Sequence, residues 1–273
     1  MIYKAKDPVY VTGDLHGNFH WLKLAIEKYD LRECTIIVCG DVGLGFSKLT
    51  AWMKYIKEEL KLVKLLKERK IVLYLFRGNH DNPFWFDGKT VSLSVIRAVE
   101  DYSVVSTPTH NILCIGGGIS PDRTMRKHEI NTALGTYLKY HPKCSVEEAK
   151  EKVNLHYWPE ERPVYDAKAI DSLTCQIDVV CSHVAPFEFP PHTSVPARYL
   201  EKDPQLKRDC AEERNVFSKI LRKLIKNGHP LSQWYYGHYH RYDVSEYRGI
   251  KTILLDMARD RNLCIKALDH ATY

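Results

Sequence analysis

Gly13-Asp14-Leu15-His16-Gly17-Asn18 leaves the apolar run Val9-Tyr10-Val11 and enters an amphipathic stretch beginning at Phe19. That order reads as a buried strand, a glycine-rich turn and a helix. The turn carries two metal-competent side chains, Asp14 and His16, off the strand's end. A single Asp-x-His has an ordinary reading as a surface turn. The construction recurs, however. Thr35-Ile36-Ile37-Val38-Cys39 runs into Gly40-Asp41-Val42-Gly43, and Ile71 to Phe76 leads to Gly78-Asn79-His80-Asp81. Val179-Val180-Cys181 stops at Ser182-His183, and Trp234-Tyr235-Tyr236 at Gly237-His238-Tyr239-His240. Five apolar strands that each stop at nitrogen or oxygen donors are hard to attribute to coincidence.

Between the first three blocks the spacing predicts a helix from Phe19 to Tyr29 with Asn18 as its N-cap, and a long helix from about Leu49 to Lys67. The resulting β-α-β-α-β alternation implies parallel strands with helical crossovers. Further strands are expected at Val104-Val105, Ile112 to Ile115, Thr252 to Leu255 and Leu263 to Lys266. A helix from about Glu213 to Lys226 is capped by Gly228. Gly116-Gly117-Gly118 lets backbone come close to a neighbour. Phe84-Trp85-Phe86 reads as packing beside the third turn, with a wall of the site as the alternative. Two stretches without sustained strand signal, at about 119–175 with a helical piece near Val146 to Val153 and at 185–212, read as excursions over the carboxyl edge of the sheet, where substrate would lie.

With 273 residues, 44% apolar and 27% charged, the composition is that of a globular chain. No window approaches a membrane-spanning length of apolar residues, and the N-terminus lacks the apolar core of a secretory signal. The eight cysteines include no Cys-x-x-Cys pair, and Cys39, Cys114, Cys181 and Cys264 fall inside apolar runs. These read as buried free thiols in a reducing, cytoplasmic setting. A net charge of +6 is mild, and the lysines between Lys48 and Lys70 read as the solvated face of a helix. They do not support a nucleic-acid surface.

Ligands of open α/β sheets bind outside the carboxyl ends of the strands. There Asp14, His16, Asp41, Asn79, His183, His238 and His240 offer oxygen and imidazole donors without thiolate. That set suits Mn²⁺, Fe or Zn²⁺. Seven donors exceed one tetrahedral site and match two ions that keep open positions, which at roughly 3.5 to 4 Å apart need a shared carboxylate. Each residue also has a plain structural reading: Asp14 and Asp41 as turn formers, Asn79 as a loop satisfier, His183 as a hydrogen-bonded interior histidine.

Gly-Asp-Leu-His-Gly, Gly-Asp-Val-Gly, Gly-Asn-His-Asp, a lone His after a strand and Gly-His-Tyr-His, in this order, resemble the calcineurin-like metallophosphoesterases. The resemblance runs from Val9 to His240. It implies an α/β fold, a four-layer α/β sandwich of two mixed β-sheets flanked by helices, with the metal site at the C-terminal ends of the strands. Carried over residue by residue, it implies one metal on Asp14, His16 and His240, a second on Asn79, His183 and His238, and Asp41 bridging them. A bridging water of lowered pKa would attack phosphorus in line. His80 would stabilise the phosphoryl oxygens or protonate the leaving group.

The chain departs from the protein serine/threonine phosphatases, whose second block reads Gly-Asp-x-x-Asp-Arg-Gly. Leu44 stands where that branch has an aspartate orienting the catalytic histidine, Gly45 where it has a phosphate-gripping arginine, and Asp81 where it has glutamate. Phosphate must then be gripped from elsewhere. Arg123 or Arg126, just beyond the triple glycine, has the bidentate geometry for it. The expectation is a single domain over 1–273 that hydrolyses a phosphate ester of a small molecule, nucleotide or phosphoprotein. Phosphodiesterase or nuclease activity at the same two metals is the alternative. A protein-binding scaffold would be expected to have lost ligands, and none of the seven is missing.

Overall fold

The computed structural model describes residues 1–153, 155–192, 195–257, 259 and 265–269. Strand β3 (Thr35–Cys39) is buried along its whole length. Its side chains divide by parity, Ile36 and Val38 entering one core and Ile37 and Cys39 another. A strand covered on both faces has no polar side to show, which is why its sequence is a continuous apolar run.

The β1 (Ile2–Lys4), β2 (Val9–Thr12), α1 (Phe19–Lys28) and β3 segments are followed by α2 (Leu49–Lys54), a π-helical turn (Tyr55–Glu59), α3 (Leu62–Glu68) and β4 (Val72–Phe76). Three strands come next, β5 (Ile96–Ala98), β6 (Ser103–Ser106) and β7 (Asn111–Ile115). After α4 (Arg123–Tyr140), α5 (Val146–Lys152) and α6 (Ala167–Asp171) the chain enters β8 (Val179–Ser182). Helices α7 (Ala197–Leu200) and α8 (Leu206–Lys226) precede the strands β9 (Gln233–Tyr236), β10 (Asp243–Tyr247), β11 (Ile250–Leu254) and β12 (Ile265–Ala267).

Two mixed sheets result, one ordered β12-β2-β3-β4-β5 and the other β1-β6-β7-β8-β9-β11-β10. Val11, Ile37, Phe76, Val105, Ile112, Val179 and Ile253 fill the space between them. The first sheet's other face is covered by α1 to α3 through Phe19, Ile26, Trp52 and Leu66. The second sheet's other face is covered by α8 through Phe217, Ile220, Leu221 and Leu224. The architecture is therefore the four-layer α/β sandwich expected from the sequence.

Register sets up the site. Thr12 lies opposite Val38, Cys39 opposite Phe76, and Ser182 opposite both Ile115 and Tyr236. The parallel strands β2, β3 and β4 of one sheet and β8 and β9 of the other each deliver a donor one to three residues beyond their last residue.

Several expectations are corrected. The long helix from Leu49 to Lys67 is interrupted, with Lys61 left-handed at φ 56°. Trp52, Ile56, Leu60, Leu62 and Leu66 are all buried, and the π-helical turn Tyr55–Glu59 together with the left-handed Lys61 divides the run that carries them. Asn18 sits at the N-cap of α1 without a capping side-chain hydrogen bond. The first excursion contains the 18-residue helix α4, which escaped notice because it buries only Arg123 and Ile130 and so has no apolar stripe. Helix α8 begins seven residues before Glu213, since its first turns bury Asp209 and Glu213 where an apolar pattern would be sought. Its end is as expected: Gly228, at φ 77°, donates to the Ile225 carbonyl and His229 to Leu224, closing a Schellman motif.

The seven described cysteines are free, with Cys39, Cys114 and Cys181 buried. Cys264 and the Leu263 start of the last expected strand lie outside the described residues. Among the described residues no helix is long and apolar enough to cross a membrane.

Candidate metal centre

The turn after β2 brings Asp14 and His16 to the same point as Asp41 from the turn after β3 and His240 from the turn after β9. One donor atom of each lies within 4.8 Å of the others. Asp14 Oδ2 is 3.0 Å from His240 Nε2, which is itself 3.0 Å from His16 Nε2. A second group adjoins the first. Asn79 Oδ1 lies 2.9 Å from both His183 Nε2 and His238 Nδ1, and the two ring nitrogens are 3.2 Å apart. Asp41 faces both groups, Oδ1 at 3.3 Å from His183 Nε2 and Oδ2 at 3.7 Å from His16 Nε2.

The backbone is bent to achieve this. His16, Asp41, His238 and His240 have φ of 47°, 44°, 70° and 48°, in a region that costs a non-glycine residue about 1 to 3 kcal/mol. The left-handed turn after Gly237 lets two histidines only two residues apart both reach the centre, while Tyr239 between them turns toward Tyr236. The motif glycines serve contact as much as turning. A Cβ on Gly78 would lie 2.1 Å from Asp41 Oδ1, and one on Gly237 2.3 Å from Asp14 Oδ1.

Asp81, the third block's last residue, has a role that its place in the motif did not reveal. Its buried carboxylate accepts amide hydrogens from Val42, Gly43 and Leu44 at 3.1, 2.7 and 2.9 Å and from Gly78 at 2.7 Å. It thereby locks the Asp41 turn to the Asn79 turn. Burial and the Asp41 charge push it up to about 7, while those amides pull it down.

The electrostatics are those of a site short of positive charge. Burial, then the charge of Asp14, lifts the Asp41 carboxyl to about 7. Burial also works to raise Asp14, but the His240 hydrogen bond and the neighbouring histidines hold it at about 2. Burial lowers His183, and lowers His238 to about 3. Among the described residues no lysine or arginine pairs with either carboxylate, and buried carboxylates need a compensating cation.

Lone pairs make the same demand. His183 Nδ1 lies 2.9 Å from the Cys39 carbonyl, to which it can only donate. Its Nε2 is then a bare acceptor, yet it faces the acceptors Asn79 Oδ1 and Asp41 Oδ1. Two donors at right angles on an ion about 2.1 Å away are about 3 Å apart, close to the 2.9 to 3.3 Å separations seen here. The residues fit a metal.

A family model described as calcineurin-like phosphoesterase matches residues 7–242. The chain belongs to that family. It is accordingly a phosphoesterase, a hydrolase of phosphate esters. No curated protein sequence matches it. Among solved structures, phosphopantetheinyl hydrolase (PptH) from Mycobacterium tuberculosis is similar over 97% of this chain and 96% of its own, with 15% identity and a TM-score of 0.43. A putative 5′-nucleotidase from Staphylococcus aureus is similar over 97% of this chain and 55% of its own, with 12% identity and a TM-score of 0.35. For GAP50 of Plasmodium the shares are 91% and 70%, with 12% identity and a TM-score of 0.40.

In this phosphoesterase the seven donor residues picked from sequence lie together. His80 stands at their edge, with Nε2 3.9 Å from Asp41 Oδ2 and its ring 5.2 Å from that of His16. Its Nδ1 is buried without a partner among the described residues, and Leu44 is buried too. Burial, then the Arg126 charge, lowers His80 to about 2. The two arginines part company. Arg123 is buried and held by Asp203 and Asp209, each at 2.6 Å. Arg126 binds Asp122 at 2.8 Å and the His156 carbonyl at 3.0 Å, and its charge is felt at His80. The triple glycine closes on neighbours as expected: a Cβ on Gly116 would lie 2.4 Å from the Arg77 carbonyl, and one on Gly118 3.2 Å from Asn79 Oδ1.

Proposed function

We propose that the chain, acting as a single domain, hydrolyses a phosphate ester at a pair of metal ions. Asp14, His16 and His240 would hold one, Asn79, His183 and His238 the other, and Asp41 both. The observation that carries this reading is the convergence of acceptor lone pairs, with the two Asp41 oxygens turned to different donor groups. Mn²⁺ and Fe suit the donor set best and Zn²⁺ is compatible with it. When bound, such ions supply Lewis acidity and an activated water.

The chain's own residues do the rest. His80, uncharged and at the edge of the centre, presents Nε2 to a phosphoryl or leaving-group oxygen. The grip on phosphate falls to Arg126, which has a single carboxylate partner in Asp122 and acts on His80 through its charge, whereas Arg123 is held by two carboxylates. Phosphorylated small molecules and nucleotides are the substrate class. The free thiols favour the cytoplasm as the place of action.

The test is metal analysis of the purified protein together with rates on p-nitrophenyl phosphate, bis-p-nitrophenyl phosphate and single-stranded DNA. Metal-dependent hydrolysis of the monoester is expected. Failure to take up Mn²⁺, Fe or Zn²⁺, with no hydrolysis of any of the three, would sink the reading. Preference for a diester would move the substrate class and leave the centre intact.

The arginines give a separate prediction. Arg126→Ala lowers kcat/KM on the monoester by about 10- to 100-fold, the worth of a charge-assisted hydrogen bond, with little change in Tm. Arg123→Ala instead strands Asp203, leaves Asp209 with Arg162 alone and shows mainly as a lower Tm. Unchanged kcat/KM in the Arg126 variant would remove it from the site.

A further inference from the structure

An asparagine can ligate a cation only through its oxygen, and turning the amide over presents NH2 in its place. Which end of Asn79 faces His183 and His238 is therefore decisive. Nothing on Asn79's own turn settles it. On the far side of the amide, Asn79 Nδ2 lies 3.0 Å from Ser120 Oγ. The Ser120 hydroxyl has one proton, and it lies on a 2.6 Å hydrogen bond to Glu161 Oε2. Glu161 Oε1 accepts the Ser120 amide proton at 2.9 Å. With its proton committed to Glu161, Ser120 Oγ is left as an acceptor, and the Asn79 amide must offer it NH2. Oδ1 then points to the ligand cluster.

Asn79, Ser120 and Glu161 are all buried, at 1%, 0% and 1% exposure, so water does not compete for these bonds. The segment bearing Glu161 is itself fastened to the Asn79 turn. Arg77 Nη1 donates to the carbonyls of Glu160 and Glu161 at 3.2 and 2.9 Å, and Nη2 to that of Arg162 at 3.1 Å. Asp101 braces the guanidinium from the opposite side at 2.7 Å, and Gly118 N–H donates to the Glu161 carbonyl at 2.9 Å. This buried carboxylate has no other evident use. Burial raises it to about 7, against its two bonds from Ser120 and the charge of Arg123, and it is as the carboxylate that it takes the serine proton's hydrogen bond.

We infer that Ser120 and Glu161 are positioning residues that fix the polarity of the Asn79 amide, holding its oxygen toward the metal. The inference rests on the two-ion reading above. It adds two residues, 41 positions apart, that the motif blocks do not contain.

Glu161→Gln is the sharpest probe, because a glutamine amide can donate to Ser120 Oγ. The serine proton is then free to point at Asn79, favouring the turned-over amide. Apoprotein titrated with Mn²⁺ by calorimetry should show one site weakened about 10- to 100-fold in this variant and in Ser120→Ala. Ser120→Thr, which keeps the hydroxyl, should bind as wild type. The control is Asn79→Asp, whose two oxygens are equivalent. In that background the freed serine proton can meet the second carboxylate oxygen, so Glu161→Gln should not weaken Mn²⁺ binding, whereas a merely structural role would cost the same factor again. Equal losses in both backgrounds, or wild-type affinity in both Glu161→Gln and Ser120→Ala, would overturn the inference. A wild-type protein that binds no Mn²⁺ takes down the two-ion reading and this inference with it. Normal wild-type binding with unaffected variants takes down this inference alone.

Discussion

Asp41→Asn is expected to lower kcat on a phosphomonoester at least about 1000-fold while leaving the metal-free protein as stable as wild type, or more so. The first half follows from the place of the carboxylate. Its two oxygens face different donor groups, and an asparagine, with one oxygen and one NH2, can serve only one of them. On the two-ion proposal, losing the shared ligand removes transition-state charge stabilisation worth several kcal/mol. The second half follows from burial. Asp41 and Asp14 are 1% and 0% exposed in one pocket without a lysine or arginine partner among the described residues, and Asp41 is pushed up to about 7 by burial and by Asp14. Neutralising it relieves that repulsion, and the amide keeps an oxygen to accept the His80 N–H, 2.8 Å away in the wild type. Thermal melts with and without Mn²⁺ separate the two effects. Wild type should gain several degrees on metal addition, since a ligand at 100 times its Kd is worth about 2.7 kcal/mol, and the variant much less. A variant with kcat within tenfold of wild type would remove Asp41 from the bridging position.

Stability and function are opposed at this centre in a way that the sequence partly discloses. Strands β2, β3, β4, β8 and β9 were legible because both faces of each are buried, leaving apolar runs that end abruptly at donors. The seven candidate ligands were legible for the same reason. What the residue order could not disclose is how side chains from distant segments satisfy one another. Asp81 reads as one more motif residue, yet its four accepted amides make it the tie between two turns. Arg77 reads as a charge at a strand's end, and it is 7% exposed and fastens the 160–162 segment. Glu161 ends a short 3-10 turn, Pro159–Glu161, in a stretch without apolar periodicity. Helix α4 and the first turns of α8 escape an apolar-pattern search because charged groups take buried positions in both, Arg123 beside Ile130 and Asp209 and Glu213 beside Leu206, with Arg123 paired to Asp209. The two arginines shared one sequence argument and separated only when Asp203 and Asp209 arrived from the other excursion.

Gly78→Ala should cost about 100-fold in kcat/KM, more than an added methyl would suggest. The new Cβ would stand 2.1 Å from Asp41 Oδ1 and 2.2 Å from Asp41 N. Oδ1 could rotate away only by abandoning the His80 amide and its approach to His183, and the backbone nitrogen can move only with its turn. That turn is pinned by Asp81, which also holds Gly78 N–H at 2.7 Å. The strain therefore separates the Asp41 and Asn79 turns, and with them the two donor groups that Asp41 joins. A displacement near 1 Å at reacting groups can cost about 100-fold, and overpacking a closed site costs about 1 to 3 kcal/mol of stability. Gly135→Ala is the matched control. It lies within α4 with nothing within 4 Å of its added Cβ, and relief of a mid-helix glycine should raise stability by about 0.5 to 1 kcal/mol without touching the rate. Kinetics and melts of both variants give the answer. If Gly78→Ala matched Gly135→Ala in kcat/KM, the two turns would not need the close contact on which the shared carboxylate depends.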